Sequence, residues 1–467
     1  MNILDLFKKR NKVRDKSDTL LNEEQLLNNA ETFTIPDINQ INKYIKAFNV
    51  LLSKGDLNNT FEVVKFIEQK SANGLIYVVK LKKSKSKYSK LLIKIQKSEL
   101  ADPASYEYYI GLALNILRGM GALNFGLVYG RFNCGFNPIG KTICDKNYQD
   151  KTYVLYEYIT SLSDKTMTLY DYIISDKISK ERKNSNLVNI LIMLMISLQK
   201  AQDTMGFTHY DLHLGNVLLV QLNKTYNFVY EHNGKKYNII LDYFPFIIDY
   251  GRSYVNPDIV DKVAGGVIYD SDKKESYKKF KDYQNKAWKN REFMVDVDKL
   301  KRYINRKLMN NRFVSNLSGV MEREFGIKRK DINVEMIMDK FYKDENGKLT
   351  SGITPYKSNL HFDHCKLLNI VCDEMLDLYI NDKYWSTLSK ELEITFPFVI
   401  PGYYSLPKYY KFTQYDLEKP IDVVEYLYME IEDLNNEVSD KLSFSQLGGD
   451  VAEKIYKKMY KKMKECK

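Results

Sequence analysis

The chain has 467 residues, 44% of them hydrophobic and 13% aromatic, and a formal net charge of +11. That is enough apolar sequence for a sizeable core and too much aromatic content for a mainly disordered polypeptide; the length suits two or three domains or one large two-lobed one. The positive charge is compatible with phosphates, nucleic acid or anionic membranes as partners, but its spread over the whole length is that of a solvated surface. Five cysteines (Cys134, Cys144, Cys365, Cys372, Cys466) are irregularly spaced and no secretory signal opens the sequence, so an intracellular, reduced setting is expected. The most apolar run, Leu187 to Leu198, is interrupted by Asn189 and is shorter than the ~20 residues of a spanning helix. It predicts a buried core helix and no transmembrane segment.

Residues 1–58 form a polar N-terminal extension with a helical patch near Ile38–Leu52 and a solvated basic run at Lys8–Arg14. From Thr60 the pattern turns strand-like. Thr60–Ile67 and Leu75–Leu81 flank a turn at Asn73-Gly74, which predicts a hairpin, and a lysine-rich connection leads to a third strand at Leu91–Gln96. Lys94 lies inside that apolar strand; taken alone, it is an edge-strand lysine reaching for solvent. Pro103 precedes a helix over Ser105–Leu117 that carries Glu107. A strand at Tyr153–Tyr156 continues into Glu157 and Tyr158, and a helical patch follows at Leu169–Ile174. A long apolar helix around Asn186–Met205 should end at Gly206.

That helix delivers the chain into His209-Tyr210-Asp211-Leu212-His213-Leu214-Gly215-Asn216, followed by a short strand at Val217–Val220. A polar insertion with its own hairpin signal, Glu231–Lys235, separates this strand from Phe246-Ile247-Ile248-Asp249-Tyr250-Gly251. Acidic residues and an asparagine at the ends of apolar runs need a reason to be there. A proton acceptor and two oxygen ligands joined by a loop suit metal-assisted phosphoryl transfer.

In this order, Lys94, Glu107, the His209–Asn216 loop and Asp249-Tyr250-Gly251 resemble the eukaryotic-type protein-kinase superfamily over roughly residues 60–298. The lysine- and tyrosine-rich style is closest to divergent serine/threonine-protein kinases of large cytoplasmic DNA viruses. The resemblance implies an α+β, two-lobed protein-kinase-like fold with an antiparallel-sheet small lobe and a mainly helical large lobe. The expected division is 1–58 extension, 59–159 small lobe, 160–310 large-lobe core with an insertion, and 311–467 helical C-terminal part, with a hinge near Ile159–Ser163.

The resemblance also implies roles. ATP would be the phosphoryl donor and a protein hydroxyl the acceptor, with Mg²⁺, or alternatively Mn²⁺, held by Asn216 and Asp249. Asp211 would take the acceptor's proton. Lys94 would bind the α- and β-phosphates and be held by Glu107. Ser71 and Gly74 would remain from the glycine-rich phosphate loop, Glu157 and Tyr158 would present backbone groups to the adenine edge, and Tyr156 would limit the back of the pocket. His209 would pack beneath the loop, and Asp296, in Phe293–Leu300, would brace it from below. If the protein is viral, host cytoplasm or the virion would be its location.

Departures from the family pattern define two alternatives. Tyr210 stands where an arginine usually receives an activation-loop phosphate, and no Ala-Pro-Glu lies between Asp249 and Asp296. Those losses and the eroded glycine loop motivate a pseudokinase that binds partners. His213 stands where a lysine is common, and His-x-Asp-x-His-x-x-Asn is the loop of aminoglycoside phosphotransferases and choline kinases, which motivates a small-molecule kinase. His361-Phe362-Asp363-His364-Cys365 with Cys372 reads as a helix with buried His and Cys rather than a zinc site. The lysine-rich tail, Glu453–Met463, reads as an amphipathic helix docked on the lobe, with nucleic-acid or anionic-membrane contact as the weaker possibility.

Overall fold

The computed structural model describes residues 61–67, 74–81, 90–96, 103–133 (except 120, 121 and 123), 152–159, 166–260 (except 233), 282, 297–343 (except 310), 347, 349, 358–379, 383–395, 417, 419–429 and 441–443. Expectations for Ser71, Asp296, the N-terminal basic run and the C-terminal lysine-rich helix lie outside the described residues.

Five antiparallel strands build the first lobe: β1 (Phe61–Ile67), β2 (Gly74–Leu81), β3 (Lys90–Gln96), β4 (Val128–Asn133) and β5 (Thr152–Glu157), in the order β1-β2-β3-β5-β4. On β3 the residues alternate as a half-buried sheet requires, whereas β1 is mostly exposed and β5 is buried on both faces over Thr152–Leu155. Val79, Ile93, Ile95, Tyr153 and Leu155 are fully buried. Helix α1 (Pro103–Gly119) starts on proline, whose missing N–H falls where no intrahelical partner exists. It lays Tyr106, Tyr109, Ile110, Ala113, Leu114 and Leu117 on the sheet. Gly111 makes this approach possible: a Cβ there would sit 2.1 Å from Cγ2 of Val128 on β4. Asn115 fixes the same contact, donating to Val128 O at 2.7 Å and accepting from Val128 N at 3.0 Å.

The second lobe is mainly helical. After β6 (Thr166–Thr168) and α2 (Leu169–Ile174), helix α3 (Lys180–Met205) runs from an N-cap at Ser179 to Gly206 at φ 62°, the left-handed cap expected of that glycine. Leu187, Ile190, Leu191, Ile192, Met193, Leu194, Met195 and Leu198 are fully buried, so the apolar run is a core helix. No described helix is long and apolar enough to cross a membrane.

The hairpin signal at Glu231–Lys235 is borne out, but the short strand and polar insertion expected after Asn216 form one long hairpin around it, β7 (Val217–His232) and β8 (Lys235–Ile247), with a register shift between Gln221 and Tyr226. Gly234, at φ 79°, turns the chain. Strand character persists because the polar stretch still alternates inward: Phe228, Tyr237, Ile239 and Leu241 are fully buried. The hairpin rests on α3 and on α9 (Pro420–Met429), where the Asn238 N–H donates to the Tyr428 hydroxyl at 2.8 Å. A short β9 (Lys441–Ser443) pairs in parallel with β7.

Between Asp249 and the next central helix, three helices close a separate small core: α4 (Val297–Leu308), α5 (Asn311–Phe325) and α6 (Val334–Phe341), around Leu300, Ile304, Leu317, Met321, Ile337 and Phe341. Helices α7 (Phe362–Leu378) and α8 (Lys383–Thr395) then return to the main core. His364, Cys365 and Cys372 are buried in α7, as a structural helix predicts, and both cysteines are free thiols.

The Gly111 contact gives a direct test. Gly111→Ala should lower the unfolding free energy by about 1–3 kcal/mol, because the branched Val128 cannot yield space without moving α1 from the sheet. Urea denaturation of the two proteins measures it; an unchanged midpoint would refute the close approach.

Candidate active site

β3 lies between β2 and β5, so Lys94, in register with Ile76 and Val154, is on a central strand and not an edge. Its Nζ donates to both carboxylate oxygens of Glu107, at 2.9 and 3.1 Å, and to Oδ1 of Asp249 at 2.7 Å. The side chains of Lys94 and Glu107 keep only 14% and 2% of their surface, while Asp249 keeps 47%. Burial by itself would lower the ammonium's pKa, but the Asp249 and Glu107 carboxylates raise it above its ordinary value. Burial raises the Glu107 carboxyl, with Lys94 opposing. For Asp249 burial pushes upward too, yet the Lys94 ammonium wins and holds the carboxyl at about 2. One cation thus joins the sheet, helix α1 and the strand end of the second lobe.

The loop that follows Gly206 is built on backbone hydrogen bonds. Thr208 and Tyr254 exchange N–H···O bonds at 3.1 and 2.7 Å. His209 is fully buried; its Nε2 donates to Ile248 O at 2.9 Å, and Nδ1 accepts from Asp211 N at 3.2 Å. That pattern requires the neutral ring, and burial accordingly holds His209 at about 4. His209 therefore packs beneath the loop, its ring centroid 6.1 Å from that of Tyr250 and 6.2 Å from that of Phe207. Asn216 Nδ2 donates to Asp211 O at 2.9 Å, and Ile248 N donates to Asn216 O at 3.0 Å. Asp211, Asn216 and the Asp249 strand end are consequently tied to one another, as the sequence spacing anticipates.

Tyr210 and Asp249 both sit at positive φ, 60° and 67°. Non-glycine residues adopt that region at a cost of about 1–3 kcal/mol, so surrounding contacts must hold them. At Tyr210 the contact is Asp363, two residues into α7. Its carboxylate accepts from His209 N at 2.6 Å and Tyr210 N at 3.0 Å. Burial pushes this carboxyl up to about 7 against the pull of the two N–H groups and Lys366. The brace under the loop is therefore Asp363. Its sequence signal was present in the stretch His361–Cys365, an acid opening an apolar helix, but it lies well beyond residues 60–298, over which the kinase resemblance runs. Tyr210 itself is fully buried with its ring 4.9 Å from Phe362, which seats the loop on the same helix.

Two cations approach Asp211. Lys366 Nζ is 3.3 Å from Oδ1, and the guanidinium of Arg252, directly after Asp-Tyr-Gly, is 3.5 Å from Oδ2. Neither was picked out from the sequence. His213 accepts from Gly215 N at 3.0 Å through Nδ1 and so caps the short 3₁₀ turn Leu214–Asn216. Burial lowers its pKa, while the surrounding Asp211, Lys366, Asp249 and Arg252 act on it from both signs.

At the far end of the cleft, Glu157 does more than its strand position suggests. Its side chain pairs with Arg118 at the end of α1 and accepts from Leu127 N at 3.1 Å, and its own N–H donates to Leu127 O at 2.9 Å. Tyr158 lies just past the end of β5, with Lys90 over its ring at 5.6 Å. Tyr156 is beside Glu107; burial, then that carboxylate, pushes its hydroxyl well above the ordinary range. Gly74 opens β2 in register with Gln96. Among the described residues no group of three or more His, Cys, Asp or Glu side chains is placed to hold a metal ion, and this includes His361–Cys365.

An antiparallel-sheet lobe and a mainly helical lobe, joined by the Lys94–Asp249 ion pair, define a two-lobed kinase-like fold. The chain is 35% identical over 78 residues to a "Probable kinase 098L" of Invertebrate iridescent virus 3, covering 17% of this chain and 15% of that protein. It is 36% identical over 70 residues to an "Uncharacterized protein 179R" of Invertebrate iridescent virus 6, and 28% identical over 144 residues to an "Uncharacterized protein 098R" of the same virus. The matched stretches span 6% and 24% of those two proteins. No protein-family model matches the chain.

Asp363→Ala should remove both acceptors from buried N–H groups and lower stability by about 2–4 kcal/mol, measured by chemical denaturation. A loss below 0.5 kcal/mol (about the size of a neutral surface change) would refute the brace. Buried His364, whose Nε2 bonds to Leu417 O at 3.1 Å, is held at about 3, against an ordinary 6.5. The unfolded chain therefore binds the extra proton, and stability present above pH 6.5 is lost as the pH falls towards 3. Melting curves of His364→Gln should show a shallower fall of Tm below pH 6.5 than the parent, with His209 and His213 among the groups that supply the slope that remains.

Proposed function

We propose that the chain is an ATP- and Mg²⁺-dependent phosphotransferase, acting as a serine/threonine-protein kinase. The observation that carries this reading is the Lys94 bridge to Glu107 and Asp249 in the cleft that also holds Asp211 and Asn216. The partial match to a viral protein named as a probable kinase supports the same class. A module that only binds partners has no need of a proton acceptor, two oxygen donors and a paired lysine in the order that phosphoryl transfer uses.

The donor set fits a magnesium ion. Asn216 commits Nδ2 to Asp211 O, which leaves its amide oxygen for a ligand, and Asp249 is ionised down to about pH 2. Mg²⁺ is bound by one or two such oxygens together with phosphate oxygens, so three protein ligands are not required. When bound, it offsets the negative charge of the phosphates.

This chain's own groups do the rest. Lys94 turns from Asp249 towards the α- and β-phosphates and stays anchored by Glu107. With the Glu157 N–H committed to Leu127, the adenine edge would meet the Glu157 carbonyl and the backbone groups of Tyr158. Asp211 accepts the proton of the acceptor hydroxyl as the acceptor oxygen bonds to the γ-phosphorus. The bond from that phosphorus to the bridging oxygen breaks, and its electron pair leaves on ADP.

The test is transfer of labelled γ-phosphate to generic protein acceptors and, in parallel, to small alcohols and amines. Asp211→Asn should lower kcat by about 10²–10⁴ with the MgATP-induced rise in Tm retained. Wild-type turnover in that variant refutes the role of Asp211. Transfer to small molecules alone makes the chain a kinase of that class, which His213 in its loop resembles. Absence of any MgATP-induced shift would leave a binding module.

A further inference from the structure

Charge near the proton acceptor is supplied from an unexpected place. The loop carries His213 two residues after Asp211, and that side chain is occupied in capping Gly215. A Cβ on residue 215 would lie 2.9 Å from His213 Cε1, so glycine there and the histidine's inward pose require each other. No cation is therefore supplied by the loop itself. Lys366 enters from α7, 155 residues later in sequence, and reaches Asp211 Oδ1 at 3.3 Å.

Lys366 is only 4% exposed. A lysine is almost never buried to that extent unless it is paired, because removing an ammonium from water is costly. Burial lowers its pKa, with Asp211 and Asp363 opposing. Asp363 and Lys366 are three residues apart and so lie on one helical face. One turn of α7 thus grips the loop twice, Asp363 at the backbone N–H groups of residues 209 and 210 and Lys366 at the side chain of residue 211. The second cation differs: Arg252 is 35% exposed and its contact with Oδ2 is 3.5 Å, too long for a firm hydrogen bond.

We propose that Lys366 is a positioning residue for phosphoryl transfer, holding Oδ1 of Asp211 so that Oδ2 is turned to the acceptor hydroxyl. This rests on the kinase reading above. In the step, the acceptor's proton passes to Oδ2, the oxygen–phosphorus bond forms, and the bond to the bridging oxygen breaks with its electrons departing on ADP. Lys366 keeps its proton throughout. Arg252, on the Oδ2 side and partly in solvent, is displaced as the hydroxyl arrives.

The experiment compares wild type, Lys366→Met and Lys366→Gln under saturating and limiting MgATP. The expected result is a fall in kcat of about 10–100-fold for both variants with KM for ATP within about threefold, since only the orientation of Asp211 is lost. The MgATP-induced rise in Tm should persist. Lys366→Gln retains a hydrogen-bond donor without the charge and decides the matter if the methionine variant fails to fold. In an Asp211→Asn background, Lys366→Gln should produce no further loss of residual single-turnover rate. An active wild type whose Lys366→Gln variant keeps full kcat, or a multiplicative loss in the double variant, overturns the assignment while leaving the kinase reading intact. A wild type inactive on every acceptor overturns both.

Discussion

Asp363 is the group on which the cleft's geometry depends. Tyr210 occupies a backbone conformation that a non-glycine side chain resists, and two adjacent N–H groups would otherwise be buried without acceptors. A single carboxylate satisfies both and fixes the turn that brings Asp211 to the cleft. The carboxylate can do this only because α7 is anchored in the main core through Phe362, Leu367, Leu368 and Val371, all essentially inaccessible to solvent. The packing of one helix in the second lobe is thereby converted into the position of a polar loop.

Lys94 plays the corresponding part across the cleft. Its three contacts connect β3, α1 and the end of β8, so the distance between the lobes is tied to an ion pair as well as to apolar contact. Other cross-links follow the same seam. Asn124 Nδ2 donates to Pro245 O at 2.7 Å and Ile247 N to Asn124 O at 2.6 Å, while Tyr106 donates to Ser253 O. Arg118, paired with Glu157 inside the sheet lobe, continues it by lying over the Phe246 ring of β8, 5.5 Å from its centroid. The sheet lobe is therefore fastened to the helical lobe along the end of β8 and the residues just after it.

Charge in the site is distributed unequally. Lys94 faces two carboxylates, whereas Asp211 faces two cations. The first arrangement leaves excess negative charge around Lys94 and the second excess positive charge around Asp211, as the proposed metal ion and phosphoryl group would each require. His213 and His209 contribute polarity without charge, because burial lowers the pKa of both rings.

The sequence by itself determined strands β1, β2, β3 and β5, helices α1, α2 and α3 and the order of the charged residues. A strand lysine, a helix glutamate, the Asp211–Asn216 spacing and the Gly206 cap are local patterns, and local patterns survive in one dimension. The C-terminal glycine of α3 and the burial of Leu187–Leu198 followed from period and punctuation alone. In the polar stretch after Val220 the turn signal at Glu231–Lys235 was legible, but the inward residues Phe228, Tyr237, Ile239 and Leu241 are spaced among polar ones, and the length of the two strands emerged only from their pairing and their packing on α3. Tertiary structure decided what comes from far along the chain. Asp363 and Lys366 reach residues 209–211 over more than 150 positions, across a three-helix unit with its own core. No periodicity records such a contact; it exists only when the α7 face is pressed beneath the loop.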